Sequence, residues 1–396
     1  MNNEILKKYA EVMVEYAINN GKGINKGDNV RIAYPIIAAP LGREIYKQVL
    51  LHGGNPFTKI TDEELDRINY QYSSDEQLTY FPKKYFKSMV DTFDHSILIL
   101  APEDIFILKG LDSKKIMLSR KSLKPYIKWL HNKEDQGKYS WTICLYATEG
   151  LAKEAGITVE EYWEQIIKAC LLEEEEPVKK WQEISKEQTR IMNALNDIPI
   201  ESLHIVSKNT DLWITLGEKR KWIGGGGCNI PSFEIYTSPD WRGTNGIVTF
   251  EQPLYRYGNV IKDISLEFKN GKVIKATASE NEDLLLEMIK QKNADKIGEF
   301  SLTDIRFSKI DKFMAATLYD ENFGGPFGNF HIALGNSYHD TFNGNIKEIS
   351  DKDYKLLGFN NSVIHTDIVS TSNRTVEAIL KDKRFINIYS NGKFNI

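Results

Sequence analysis

The hydrophobic pattern changes character along the chain. Over residues 3–18, Ile5, Leu6, Tyr9, Val12, Met13 and Tyr16 line one helical face, which predicts an amphipathic helix. NVRIAYPII (29–37) is apolar and β-branched and predicts a strand. LGREIYKQVLLHGG (41–54) returns to helical spacing and is stopped by two glycines. NPFTKI (55–60), SILILAP (96–102) and YSWTICLYAT (139–148) read as further short strands with helical material between them. Strand, helix, strand in that order predicts parallel pairing through crossovers, and hence an open α/β sheet.

From about residue 151 the chain becomes helical and charged. Thr158 followed three residues later by Glu161 is a capping-box signature ahead of EYWEQIIKACLL. The acidic run LLEEEEPVKK (171–180) reads as a solvated helix end and turn, with a linker near it. Beyond it, alternation takes over. SLHIVSKNTDLWITLG (202–217) predicts a hairpin around Lys208-Asn209-Thr210. ISLEFKNGKVIKATA (264–278) carries the hairpin dipeptide Asn270-Gly271, and the C-terminal NIYSNGKFN repeats it with Asn391-Gly392. Two helices, 281–293 and 308–320, interrupt the strands. The expected fold is therefore an α/β N-terminal domain over 1–185 and an α+β, largely antiparallel domain over 186–396.

Composition narrows the function classes. A chain of 396 residues with 41% hydrophobic content can bury two medium cores. A net charge of -4 gives no electrostatic case for nucleic acid. No apolar run approaches the ~20 residues of a membrane span, and the N-terminus lacks the basic start and apolar block of a secretory signal. The three cysteines, Cys144, Cys170 and Cys228, lack paired spacing. They argue against a disulfide framework or a thiolate zinc site and fit a reducing, cytoplasmic setting.

The chemistry lies in the second half. In NSVIHTDIVS (361–370), His365 and Asp367 alternate with apolar residues, so both point to one face of a strand. Such a pair can converge on a cation, or the histidine can simply hydrogen-bond its neighbour. His331 lies in the apolar run NFHIALGNSYHD (329–340), with Tyr338 seven residues on. Glu299 heads the strand-like GEFSL, opposite in face to Phe300 and Leu302, so exposure alone could account for it. Glu234 sits in SFEIYT, with Phe233 and Ile235 on the other face. The glycine run at 224–227 has neither phosphate-loop fingerprint, and mobile-loop or close-approach glycines are the better reading. Together Glu234, Glu299, His331, Tyr338, His365 and Asp367 exceed the three protein ligands of one open catalytic zinc. They suit a pair of divalent ions ~3.5–4 Å apart bridged by a carboxylate.

Four motifs in order, NIPSFEIYTSPDWRGTNG, GEFSLTD, TLYDEN…HIALGNSY and NSVIHTDIVST, resemble the aminopeptidase T/aminopeptidase S family, the thermophilic aminopeptidases. The resemblance extends over essentially the whole chain and is most specific from about 229 to 375. It implies that Glu234 is the first metal ligand and Glu299 the bridging carboxylate. His331, Tyr338, His365 and Asp367 would complete the set. It further implies two divalent cations, zinc or cobalt, with manganese or magnesium as substitutes. The implied activity is removal of N-terminal residues from peptides by a homodimer, with the metals in the C-terminal domain. The glycine-rich FGGPFGNF ahead of His331 is longer than in some relatives. Glu321 of the DEN motif is the candidate general base, with a capping role as its alternative, and Tyr338 can polarise the substrate. Arg242 of DWRG reads as a structural salt bridge rather than a substrate contact. The competing readings are a metal-dependent amidase or esterase, and a non-enzymatic α/β binding protein.

Overall fold

Five parallel strands organise the N-terminal part of the computed structural model, which describes residues 2–224, 227–256 and 258–396. Their order is Asn55–Thr61, Asn29–Pro35, His95–Leu100, Ser140–Leu145 and Asn229–Ile230. Val30, Ile32, Ile97 and Cys144 are fully or almost fully buried, as expected of strands covered by crossover helices. Helix Ala39–Leu51 ends ahead of Gly53, whose φ of +78° is the left-handed terminus the glycine pair predicts. The first helix runs from Asn3 to Glu11 and continues as a wider turn over Val12–Tyr16, with Ala17 N–H donating to Val12 O at 2.9 Å. The expected capping box is formed. Thr158 Oγ1 accepts from Glu161 N–H at 3.2 Å while Glu161 accepts from Thr158 N–H at 2.9 Å, opening helix Val159–Ala169.

Backbone packing divides the chain into two units, one of residues 1–182 with 226–231 and 257–259, the other of 183–225, 232–256 and 260–396. Segment 226–231 joins the first unit because Asn229 and Ile230 add the fifth parallel strand beside Ile143 and Cys144. The acidic run is an exposed turn, and the division falls a few residues later, inside helix Pro177–Asp197. Of the four glycines, Gly225 and Gly226 lie outside the described residues. Gly227 has φ +78°, and a Cβ there would come within 2.5 Å of Ala17 O, which is a close-approach role.

Two large antiparallel sheets dominate the described residues of the second unit. The larger has eight strands: Lys272–Thr277, Ile264–Lys269, Asn245–Phe250, Thr210–Thr215, Ile200–Ser207, Arg374–Leu380, Phe385–Ser390 and Lys393–Phe394. All three predicted hairpins are present in it, and Asn270 and Gly271 take φ of +50° and +80°, as a two-residue turn with both central residues left-handed requires. The smaller sheet runs His365–Ser370, Asn329–Gly335, Ile297–Thr303, Glu234–Thr237 and Ile223–Gly224. Its Phe330 meets Phe250 of the larger sheet with ring centroids 6.1 Å apart, and Phe300 packs on Phe330 at 6.2 Å. This inter-sheet core fixes which face of the smaller sheet is left for chemistry.

Three expectations require correction. Residues 308–320 are not one helix. Only Thr317–Asp320 is helical, because Met314 and Ala316 N–H groups donate to the Asp320 carboxylate at 2.8 and 2.9 Å, and Ala315 takes φ +50°. Helix Glu282–Ile289 is also shorter than expected. Val363 lies outside the final site strand, which begins at His365, and is 53% exposed.

Candidate metal centre

The register of the smaller sheet assembles the site. Ser301 pairs with His331, Glu299 with Ala333, and Ala333 with Asp367. Thr303 pairs with Glu234, and Gly335 with His365. Side chains directly opposite share a face, so Glu234, Glu299, His331, His365 and Asp367 all project from the side away from Phe300 and Phe330. Between them stand Ser301 and Ala333, whose small side chains leave room on this face, while at Gly335 a Cβ would fall 2.0 Å from the Ile364 carbonyl oxygen.

The distances form a continuous chain of contacts. His331 Nε2 lies 3.1 Å from Glu299 Oε1 and 3.3 Å from Glu234 Oε2. His365 Nε2 lies 3.8 Å from Glu299 Oε2 and 3.2 Å from Asp367 Oδ1. Ser301 Oγ donates to Glu234 Oε2 at 3.1 Å. His365 Nδ1 faces the Asn336 carbonyl at 2.9 Å. A carbonyl can only accept, so Nδ1 carries a proton toward it and Nε2 is the nitrogen that faces the acids of the cluster. Tyr338 packs against His365 with ring centroids 4.6 Å apart.

Glu299 is 3% exposed and His331 1%, so the expectation that exposure might account for Glu299 is overturned. A buried acid needs a reason. Burial pushes the Glu299 carboxyl up to about 7, against the opposing pull of His331 and His365. Burial also raises Glu321 well above the carboxylate range, and the negative charges of Glu234 and Asp367 raise it further. Burial acts to lower both imidazoles. Glu234 and Glu299 outweigh it at His331, raising it well above its ordinary value, and Asp367 outweighs it at His365, raising it to about 9. Burial acts to raise Asp367, but the His365 charge dominates and holds it at about 2. Tyr338 is raised well above its ordinary value by burial and by the charges of Glu299, Asp367 and Glu321.

The donor set fits a divalent cation. One ligand atom each from Glu234, Glu299 and His331 lie within 4.8 Å of one another. Glu299 Oε2, His331 Nδ1 and Asp367 Oδ1 are buried without an aligned hydrogen bond among the described residues. Such atoms are costly unless something else satisfies them. Hard oxygen and imidazole donors together are the chemistry of zinc-type and related ions.

The DEN motif is tied to the same sheet. Asn322 Oδ1 accepts from Phe233 N–H at 2.6 Å, which holds the neighbour of Glu321 against the neighbour of Glu234. Arg242 ion-pairs with Asp240 at 2.6 Å, the structural role expected of it. Residue reasoning missed Ser301, Ala333, Gly335 and Asn336. The first three are small strand residues with no chemical signal, and Asn336 acts through its backbone. His95, by contrast, is satisfied by Asp28 and Ser140, an ordinary structural histidine.

Among the described residues no helix is long and apolar enough to cross a membrane. The fold matches that of a structure titled wild-type AmpT from Thermus thermophilus, with a TM-score of 0.85, 23% identity and 99% of both chains covered. In sequence the chain is 26% identical to aminopeptidase AmpS of Bacillus subtilis (strain 168) over 98% of each protein. It is likewise 26% identical to aminopeptidase T of Thermus thermophilus over 96% of each. The family model for thermophilic metalloprotease (M29) matches residues 2–394. The chain therefore belongs to the M29 family of thermophilic metalloproteases, metal-dependent peptide hydrolases.

Proposed function

We propose that this chain is an aminopeptidase of the two-metal type, removing N-terminal residues from peptides. Its ligands are Glu234, Glu299, His331, Tyr338, His365 and Asp367. The observation carrying this reading is the convergence of three carboxylates and two imidazoles on one hollow sheet face, with three buried polar atoms lacking aligned partners. The aminopeptidase names of the sequence relatives support the exopeptidase part. Two divalent cations, zinc or cobalt ahead of manganese or magnesium, supply a water acidified toward neutrality and an electrophile for the scissile carbonyl.

The chain's own residues do the rest. Glu299 reaches both imidazoles and would hold the ions together with them. Glu321 would be the general base: it is a buried carboxyl near enough to feel the charges of Glu234, Asp367, His331 and Glu299, and in its ionised form its oxygen could accept a proton there. The Tyr338 hydroxyl donates toward the oxygen on which negative charge develops. The surrounding carboxylates favour the positive α-ammonium of an unblocked peptide. Residues 186–396 form the catalytic domain and 1–185 its α/β companion. The three cysteines, which lack paired spacing, favour a reducing cytoplasm, and the family resemblance supports a homodimer.

The test compares amino-acid p-nitroanilides with their N-acetylated forms, before and after EDTA treatment. Turnover of the free amine only, lost with EDTA and restored by zinc or cobalt, is the expected result. Equal turnover of the acetylated substrate would make the chain an amidase or esterase instead.

A further inference from the structure

Tyr338 differs from the other residues of the cluster in how it is held. Glu234, Glu299, His331, His365 and Asp367 stand on strands, where register fixes them. Tyr338 lies in the loop after strand Asn329–Gly335, immediately ahead of the short helical turn His339–Thr341. Its backbone is pinned there. Its N–H donates to Ser238 Oγ at 2.9 Å, and its carbonyl accepts from Thr341 Oγ1 at 2.7 Å. Its side chain is held by rings: His365 with centroids 4.6 Å apart, and Tyr236 with centroids 6.1 Å apart at 66°, an edge-to-face contact.

Tyr236 is built into the same face of the sheet. It is two residues from Glu234 on one strand and pairs directly with Ser301, so its side chain projects on the side of the cluster. Its hydroxyl donates to Asp340 Oδ2 at 3.2 Å. Asp340 lies in the turn that follows Tyr338, so this bond ties the strand carrying Glu234 to the loop carrying Tyr338. We propose that Tyr236, tethered by Asp340, is a positioning residue that keeps the Tyr338 ring against His365 and its hydroxyl at the cluster, an inference that rests on the aminopeptidase reading above. A pinned backbone still leaves a tyrosine free to turn about its side-chain torsions, and an edge-to-face neighbour removes that freedom. Displacing a reacting group by about 1 Å can cost about a hundredfold in rate, so the contact matters out of proportion to its strength.

The experiment measures kcat and KM for leucyl p-nitroanilide on the full chain, with metal content by atomic emission. It also records the visible spectrum of the cobalt-loaded chain without substrate, a readout of ligand geometry independent of turnover. Tyr236→Ala should lower kcat by about ten- to a hundredfold while KM changes by less than about threefold and bound metal is retained. Its cobalt spectrum should move in the same direction as that of Tyr338→Phe. In the Tyr338→Phe background, Tyr236→Ala should cost less than about twofold more, because the residue it acts through is already disabled. Tyr236→Phe keeps the ring and loses the tether, and Asp340→Ala removes the other end of the same bond. These two should show equal, smaller losses in kcat, and combining them should cost no more than either. This second pair decides the matter if Tyr236→Ala does not fold. Native kcat in Tyr236→Ala or Tyr338→Phe, an unmoved cobalt spectrum, or losses that multiply in the double variants would overturn the assignment and leave the aminopeptidase reading intact. A native chain with bound metal and no turnover of any free-amine substrate would refute that reading, and this inference with it.

Discussion

The roles proposed for individual side chains at the cluster can be separated by substitution. If Glu299 and His365 hold metal, Glu299→Ala and His365→Ala should each lose metal and at least about a hundredfold in activity, since even supporting residues cost 10–100-fold. Circular dichroism should stay native, because the core under these residues is the Phe250, Phe300 and Phe330 contact on the opposite face. Full metal content by atomic emission in both variants would defeat the ligand assignment. Glu321 predicts a different pattern. Glu321→Gln keeps size and hydrogen bonding but removes the proton acceptor, so kcat should fall by about 10²–10⁴-fold with both metals retained. Undiminished turnover would return Glu321 to a capping role. At this scale the sequence was informative where a residue's chemistry is unusual for its surroundings. An imidazole and an acid in His365-Thr366-Asp367, flanked by Ile364 and Ile368, is such a case.

Secondary-structure elements explain why the ligands meet. Alternation put His365 and Asp367 on one face, and the strand confirms it. Hairpins with Asn-Gly turns and the Thr158 capping box were legible because their signals are local, a few residues supplying both the question and the answer. The segment 308–320 was not legible. Its helical spacing is overridden by the Asp320 carboxylate, which takes the backbone N–H groups that a helix would use. Register predicts the consequence of filling the hollow. Ala333 is fully buried and stands directly between Glu299 and Asp367. Ala333→Leu should destabilise by about 1–3 kcal/mol in a urea titration. It should also retain less metal after dialysis, because a bulky side chain would occupy the space between the two acids. Unaltered metal content would mean the hollow is larger than the donors require.

For the whole molecule, a ligand that binds only the folded state stabilises it by mass action. With free metal at a hundred times its dissociation constant, this is about 2.7 kcal/mol. Chelation should therefore lower the thermal midpoint, the more so because without a cation Glu299 and Glu321 must take up protons to stay buried beside other acids. Zinc or cobalt add-back should restore it. A midpoint indifferent to EDTA would argue that the fold does not depend on the metals. The division of the chain also belongs to this scale. The shift from parallel crossovers to hairpins was readable, whereas the return of Asn229 and Ile230 to the first sheet was not. A two-residue parallel strand has too few residues to carry a periodic signal.

By itself the sequence determined which residues can bind a cation, the alternation that points each one off its strand, and the motif order that marks the family. Those depend on residue type and near neighbours, which a linear text contains. Only the tertiary structure decided that five donors from four strands stand in register, that small residues leave space between them, and that Glu299 is buried rather than exposed. Strand register between distant segments is set by the packing of a shared core, here Phe250 against Phe330 and Phe330 against Phe300. A one-residue slip would turn every donor to the other face.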